Sequence, residues 1–291
     1  MRITHFAALA AATTVLISAS QTVAAQATFD RIKSRGQINI GYRPAAQPFA
    51  MEDSAGKPVG YAIEFCNAIA DRLGAVTGGI KKIRFIPVAV DRRMLLLREG
   101  HIDMLCDSFT VTEQRGQLVG FSTPIFYDNV QILVRGKDNI TALDQLKDQT
   151  VVVINATTAQ QALAGYSSAT GNALKVSRAV GADAAIGQLQ LGWVKGYARD
   201  GVLLAGQKST LPNAAEFEIL STPLSLEPIA IGIRRADPAM KSLADSVIAD
   251  AMKTGTMQTW YSRYFLSPTP FGKPLNIPMS ERLKEQIQAA R

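Results

Sequence analysis

Short apolar segments alternate with longer amphipathic segments over most of the chain. For example, Ile63, Cys66 and Ile69 recur at the spacing of one face of a helix. Because strands that alternate with helices usually assemble into a mostly parallel sheet, this pattern predicts an α/β fold. The alternation runs once up to Phe126 and again from Leu143 onward, which predicts two lobes. The predicted strands lie at 37–42, 83–88, within 100–106, at 130–134, 150–154, near 175–176, and at 217–220 and 229–233.

Residues 1–25 have the pattern of a secretory signal peptide. Arg2 and His5 give a basic start, an apolar run extends from Phe6 to about Ser20, and small residues then offer a cleavage site. No cysteine follows the cleavage region, so the sequence predicts no lipid anchor. We therefore expect export of the mature chain to a bacterial periplasm.

The charge of the chain bears on which classes of molecule it binds. It carries 31 lysine and arginine residues against 24 acidic residues, a formal charge of +7. The basic residues are scattered and are not interleaved with aromatic residues, which argues against nucleic-acid binding. A mild positive charge would attract anionic small molecules, although ordinary solubility is the simpler explanation of it.

The small numbers of cysteines and histidines limit the metal and catalytic sites that the chain can form. The two cysteines are Cys66 and Cys106, and the only histidine beyond the signal peptide is His101. In an oxidising compartment the cysteines form either a disulfide or two buried thiols, and the sequence leaves both open because it does not determine their geometry. One histidine cannot build a His-rich zinc site, and a His-based triad would depend on it alone. We predict no metal, no cofactor and no catalytic residue.

The segment from Thr110 to Arg115 lies where a predicted strand ends and a helix begins. Ligands bind at such points in open α/β sheets, and a helix start offers free backbone N–H groups. Arg115 adds a two-pronged donor that matches a carboxylate. The segment predicts a carboxylate-binding corner, in which Thr112 caps the helix; a capping threonine and a solvated arginine are the simpler alternative.

The pattern Thr110-x-Thr112-x-x-Arg115, followed by Phe121-Ser-x-Pro124, resembles the extracellular solute-binding proteins of family 3. These are periplasmic receptors of polar amino-acid ABC transporters, and the likeness is greatest to glutamate/aspartate-binding members. The resemblance implies a two-lobe, periplasmic-binding-protein-like fold of type II with a hinge of two crossover strands. It implies crossovers near 128–129 and 227–228, lobe 1 at 27–128 plus 229–291, and lobe 2 at 129–228. The aromatic group from Trp260 to Phe265 also resembles the family, and we interpret it as a packing anchor.

The resemblance also implies a set of ligand-binding residues in lobe 1. Thr110 and Arg115 would hold the α-carboxylate of the ligand, with Ser108 or its backbone nearby. Arg43 and Arg93 match arginines that contact the side-chain carboxylate in glutamate/aspartate receptors. Two guanidinium groups in one cleft require an anion between them, unless one or both point to water. Arg92 is the nearest alternative to Arg93 as the arginine that contacts the side-chain carboxylate. The ring of Phe49 is expected either beside the ligand or in the core.

Lobe 2 departs from the family pattern at two places. Thr157 and Thr158 resemble the Gly-Thr-Thr turn that binds the ligand, but Ala156 replaces the glycine and restricts the backbone. The position of the usual aspartate, which takes the α-ammonium of the ligand, falls on Arg199, and Asp200 follows it. The sequence leaves open which of the two faces the ligand amine.

These features predict a periplasmic substrate-binding protein of an ABC transporter. We expect it to act as a monomer, to capture a polar and acidic amino acid by lobe closure, and to hand this solute to an inner-membrane permease. A non-amino di- or tricarboxylate is the second candidate ligand. A cleft enzyme such as a cyclohexadienyl dehydratase would need an acid or base, for which Glu64, Asp107 and Asp200 are available. A sensor that docks to a receptor kinase is a third class.

Overall fold

The computed structural model describes residues 28–268 and 274–291. The predicted signal peptide lies outside the described residues. The strands are β1 (Gln37–Tyr42), β2 (Met51–Glu52), β3 (Pro58–Val59), β4 (Lys82–Pro87), β5 (Met104–Leu105), β6 (Gly120–Phe121), β7 (Phe126–Asp128), β8 (Val130–Arg135), β9 (Thr150–Ile154), β10 (Lys175–Ala179), β11 (Gly196–Asp200), β12 (Phe217–Ile219), β13 (Glu227–Ile229) and β14 (Gly232–Ile233).

Helices fill the intervals between most strands. They are α1 (residues 28–35), α2 (Tyr61–Thr77), α3 (Arg93–Glu99), α4 (Glu113–Gly116), α5 (Ala159–Thr170), α6 (Ala182–Leu191), α7 (Gly201–Ser209), α8 (Pro238–Thr254), α9 (Thr256–Tyr261) and α10 (Glu281–Ala290). Short 3₁₀ turns lie at Gly136–Asp138, Leu143–Leu146 and Ala214–Glu216, and a π-helical turn at Ser262–Leu266. Within the described residues, no helix is both long enough and apolar enough to cross a bilayer.

Two five-stranded sheets confirm the predicted two-lobe α/β fold. In the first sheet the order is β4-β1-β5-β14-β6, with β1 parallel to both β4 and β5. In the second sheet the order is β10-β9-β11-β8-β12, with β9 parallel to both β10 and β11. Strand β9 is buried on both faces, as its run of valines requires, because helices cover both sides of a parallel sheet.

The two sheets are joined by a pair of crossover strands. Strands β7 and β13 pair antiparallel, with Glu227 opposite Asp128 and Pro228 opposite Tyr127. This is the hinge of two strands that the resemblance implied. The proposed division into residues 27–128 plus 229–291 and residues 129–228 stays a prediction.

An aromatic cluster forms the centre of the first lobe. Its rings belong to Phe49, Tyr61, Phe126, Tyr261 and Phe265, and the centroids of Tyr261 and Phe265 are 4.4 Å apart. The aromatic group near the end of the chain is therefore a packing anchor, as interpreted. Phe49 is fully buried in this cluster, so its ring packs in the core and does not lie beside a ligand.

The two cysteines form a disulfide. Cys66 on α2 is bonded to Cys106, which directly follows β5, and their Cα atoms are 6.3 Å apart. This bond resolves the alternative that the sequence left open. It ties the outer helix α2 to the strand end that carries the first residues of the predicted corner.

Replacement of both cysteines, as Cys66→Ala/Cys106→Ala, should lower the free energy of unfolding by about 2–4 kcal/mol, because the bond closes a long loop in the unfolded chain. Urea denaturation without reductant measures this change. Reductant should reproduce the loss in the wild type and leave the double variant unaffected. Equal urea midpoints for the two oxidised proteins would contradict the expectation.

Candidate functional site

A narrow cleft lies where the two lobes meet. Nearly every predicted ligand-binding residue lines it, from the carboxyl ends of β1, β4, β5, β9 and β11 and from the loops and helices that follow them. Phe49 is the exception, and Leu203 is a lining residue that was not predicted. The lining residues are Arg43, Arg93, Ser108, Thr110, Arg115, Thr157, Thr158, Arg199, Asp200 and Leu203.

Asp107 lies between the two arginines that were expected to hold a side-chain carboxylate. Its Oδ2 atom accepts a hydrogen bond from Nε of Arg43 at 2.6 Å and another from Nη1 of Arg93 at 2.5 Å. Arg43 also donates from Nη2 to Oγ of Ser108 at 2.7 Å. An anion was expected between these guanidinium groups, and the carboxylate of Asp107 supplies part of that negative charge. Arg92, the alternative to Arg93, is exposed.

Burial and charge act in opposite directions on this triad. Burial alone would raise the pKa of Asp107, but the charges of Arg43 and Arg93 hold the pKa of Asp107 at about 2. Burial lowers the pKa of Arg93 to about 9, although Asp107 opposes this shift. All three groups are therefore ionised at neutral pH, and together they keep one positive charge.

Arg115 lies in the predicted carboxylate-binding corner, where two contacts hold its guanidinium group. Its Nη1 donates to the carbonyl oxygen of Thr110 at 2.9 Å, and its guanidinium carbon lies 5.0 Å from the centre of the Phe109 ring. Oγ1 of Thr112 accepts from the backbone N–H of Arg115, so Thr112 is the predicted helix cap. Helix α4 is only four residues long, so its dipole is weak and the guanidinium group provides the positive charge of this corner.

The threonine turn of the second lobe keeps its backbone shape despite Ala156. Ala156 has a φ angle of 59°, a left-handed conformation that costs a residue with a Cβ atom about 1 kcal/mol. Oγ1 of Thr157 donates to the carbonyl oxygen of Ile154 at 2.7 Å. Oγ1 of Thr158 donates to Oε2 of Glu227 at 2.8 Å, which connects this turn to the hinge.

Arg199 and Asp200 are the last two residues of β11, and both side chains line the cleft. Arg199 donates from Nη1 to Oε1 of Gln207 at 3.1 Å and from Nη2 to the carbonyl oxygen of Ala45 at 2.8 Å. The bond to Ala45 joins the second lobe to the first. The Asp200 carboxyl group has no hydrogen-bond partner within residues 28–268 and 274–291.

Three carboxyl groups converge at the hinge side of the cleft. Burial, and then the charge of Glu227, raise the pKa of Asp200. Burial and the charge of Asp200 raise the pKa of Asp128 well above its usual range, although Asp128 accepts backbone N–H groups from Asn129 at 2.8 Å and Val202 at 3.1 Å. The carboxyl groups on this side of the cleft therefore repel one another, and a cation placed beside them would offset that repulsion.

The lobes are in contact around the cleft. A Cβ atom on Gly206 of α7 would lie 2.6 Å from the carbonyl oxygen of Gln47, so only glycine permits this approach. On the other side, Nε2 of Gln161 donates to Oε1 of Gln114 at 2.9 Å. The two lobes are therefore in contact on both sides of the cleft.

Comparison with known proteins identifies the family. The family described as bacterial extracellular solute-binding proteins, family 3, matches residues 38–267. The chain belongs to this family. The resemblance on which the sequence analysis relied is thus confirmed, and the extracellular location of this family agrees with the predicted export.

Two curated relatives have names that specify a ligand. The glutamate/aspartate import solute-binding protein of Escherichia coli K12 is 29% identical over 270 residues, which cover 91% of this chain and 87% of that protein. The L-glutamate/L-aspartate-binding protein of Pseudomonas aeruginosa PAO1 is 30% identical over 266 residues, which cover 89% of this chain and 87% of that protein. Among solved structures, a mutant of ArgBP from T. maritima superposes with a TM-score of 0.70 at 26% identity, covering 81% of this chain and 98% of that one.

The ion pairing of Asp107 was not predicted from the sequence, where this residue was considered only as an acid for an enzyme. Glu227 was also missed as a partner of Thr158. The available signal for Asp107 was its position, because an acid that directly follows a buried strand at the level of two arginines needs a partner. No signal in the sequence pointed to Glu227, which lies 69 residues from Thr158.

Substitution Asp200→Asn should stabilise the ligand-free protein. Because the folded state raises the pKa of Asp200, the stability of the wild type falls as the pH increases through this raised pKa. The gain should be largest at and above neutral pH and should vanish below about pH 4, where the carboxyl group is protonated in both states. Urea unfolding at several pH values measures the gain.

Asp183→Asn, at an exposed acid on α6, is the matched control and should change little. A loss of stability in Asp200→Asn at neutral pH would mean that the surrounding arginines already compensate the carboxylate, against the expectation.

Proposed function

We propose that this solute-binding protein captures an acidic amino acid, glutamate or aspartate, in the periplasm and delivers it as a monomer to the permease of an ABC transporter. The observation that carries the proposal is a cleft with Arg43, Arg93 and Arg115 on one side and, on the other, the carboxyl group of Asp200, which has no hydrogen-bond partner in the described part of the chain. A ligand that satisfies both sides must carry anionic and cationic groups together, as an amino acid does.

The α-carboxylate is assigned to Arg115 and Thr110. Arg115 uses Nη1 for the carbonyl oxygen of Thr110, and within the described residues its Nε and Nη2 groups have no hydrogen-bond partner. A carboxylate that accepts from these two N–H groups forms a bidentate pair, which is the strongest arrangement for an arginine. The hydroxyl group of Thr110, which lines the same cleft, is a further donor.

The α-ammonium is assigned to Asp200. Its carboxyl group is buried and lines the cleft, and burial and the charge of Glu227 raise its pKa although three arginines oppose the shift. An ammonium group would provide a further cation and the missing hydrogen bonds. Arg199 is a weaker candidate for the position beside the amine, since its guanidinium group already donates to Gln207 and Ala45.

The side-chain carboxylate is assigned to the remaining N–H groups of Arg43 and Arg93. This pair keeps one positive charge after its interaction with Asp107, which suffices for one carboxylate. The names of the two bacterial relatives support an acidic side chain.

Two other functions receive less support. A non-amino dicarboxylate would suit a cleft with a free fourth arginine, but Arg199 is already hydrogen-bonded. For an enzyme, two of the three candidate acids are poorly placed: Glu64 lies outside the cleft and accepts from Arg263 and Tyr264, and Asp107, with a pKa near 2, is a poor proton donor. The third, Asp200, lines the cleft, and we assign it to the ligand ammonium group.

Calorimetric titration with glutamate, aspartate, succinate and malate tests the proposal. We expect heats of binding for the two amino acids and much weaker binding of the two acids without an amine. Binding of succinate with no response to glutamate would refute it in favour of a dicarboxylate receptor. Turnover of a prephenate-type substrate by the purified protein would refute the non-catalytic role.

Arg115→Gln should weaken binding of the preferred amino acid by about 30-fold or more, because loss of one partner of a buried charge pair costs about 2–5 kcal/mol. The same calorimetric titration measures the change. Arg72→Gln, at an exposed arginine paired with Asp250, is the control and should leave affinity within about twofold. Unchanged affinity in Arg115→Gln would remove Arg115 from the site.

A further inference from the structure

The charge of the cleft depends on a carboxylate that belongs to the protein. Asp107 has a fully buried side chain and its Oδ2 atom accepts from both Arg43 and Arg93, while its Oδ1 atom accepts from the backbone N–H of Ser108 at 2.7 Å. It therefore occupies guanidinium N–H groups that a bound anion would otherwise use. No other carboxylate forms an ion pair with Arg43 or Arg93 among the residues that the structure describes.

Asp107 also determines the balance of charge in the cleft. Four guanidinium groups line it, and they are opposed by Asp107 and Asp200 in the lining and by Asp128 and Glu227 at the hinge. Loss of the carboxylate of Asp107 would add one positive charge to this buried space, where charges are poorly screened.

We propose that Asp107 is a specificity-determining residue that limits how much negative charge a ligand brings into the cleft. With Asp107 in place, Arg43 and Arg93 together keep one positive charge, which suits the single side-chain carboxylate of an acidic amino acid. A dicarboxylate of the same length lacks the ammonium group and therefore brings one more net negative charge into the cleft. The inference rests on the proposed function and adds the residue that separates these two classes of ligand.

Asparagine, aspartate and succinate provide a matched series for the test. They share a four-carbon chain and carry zero, one and two net negative charges at neutral pH. Their affinities are measured by calorimetry for the wild type and for Asp107→Asn, which removes the charge and keeps the shape. We expect the ratio of succinate affinity to aspartate affinity to increase about tenfold or more in Asp107→Asn, because one neighbouring charge shifts an ionisation equilibrium by roughly one to three pH units. The ratio of aspartate affinity to asparagine affinity should increase in the same direction.

Asp103→Asn is the matched control. Asp103 is equally buried and also accepts from two arginines, Arg31 and Arg35, but it does not line the cleft. Its replacement changes the net charge of the protein by the same amount and should leave both affinity ratios within about twofold. Asp107→Glu, which keeps the charge, should retain ratios close to those of the wild type even if all affinities decrease.

Different outcomes separate this inference from the proposed function. A wild type that binds asparagine and not aspartate would refute the proposed acidic ligand, while a gain of aspartate binding in Asp107→Asn would still support the role of Asp107. Equal losses for all three ligands in Asp107→Asn would overturn the inference, because they would indicate a purely structural role. If the variants do not fold, succinate binding to the wild type as tightly as aspartate also overturns it, and binding at least tenfold weaker supports it.

Discussion

The buried contact of Asp107 with Arg43 and Arg93 is the interaction on which the cleft depends. Guanidinium groups in a small buried space repel one another, and the charges of Arg43 and Arg115 contribute to the lowered pKa of Arg93. A carboxylate between two of them offsets this repulsion and sets the direction of their remaining N–H groups. Arginine suits this arrangement because it stays charged when buried and has several donors in a fixed plane, so that one group can serve both the internal carboxylate and a ligand.

Most cationic groups lie on one side of the hinge and most carboxyl groups on the other. Arg43, Arg93 and Arg115 belong to the first lobe together with the carboxylate of Asp107, whereas Asp128, Asp200 and Glu227 lie on β7, β11 and β13 together with Arg199. Opposite charges therefore face each other across a narrow space, where their attraction is stronger than in bulk water. A zwitterionic ligand placed between them would complete the pairing, which gives a physical reason for coupling between binding and closure.

The core of the first lobe holds the groups that line the cleft in position. The disulfide of Cys106 fixes the strand end directly before Asp107, and the buried ring of Phe49 anchors the loop that begins at Arg43. Phe49 thus supports the cleft from within the core. Side chains on such rigid supports lose little conformational freedom on binding, which favours selectivity.

The sequence by itself determined the alternation of strands and helices, and therefore the strand ends at which Arg43, Thr110, Thr158 and Asp200 meet. It also determined the cap at Thr112, because these features depend on neighbouring residues and on the geometry common to parallel sheets. Only the tertiary structure decided the disulfide, the core position of Phe49, the pairing of Asp107 and the contact of Arg199 with Ala45. Each of these depends on which side chains meet across long separations, such as the 64 residues between Arg43 and Asp107 or the 154 between Ala45 and Arg199. The local sequence pattern does not show which distant residues come into contact, because packing and the need to pair buried charges determine those contacts.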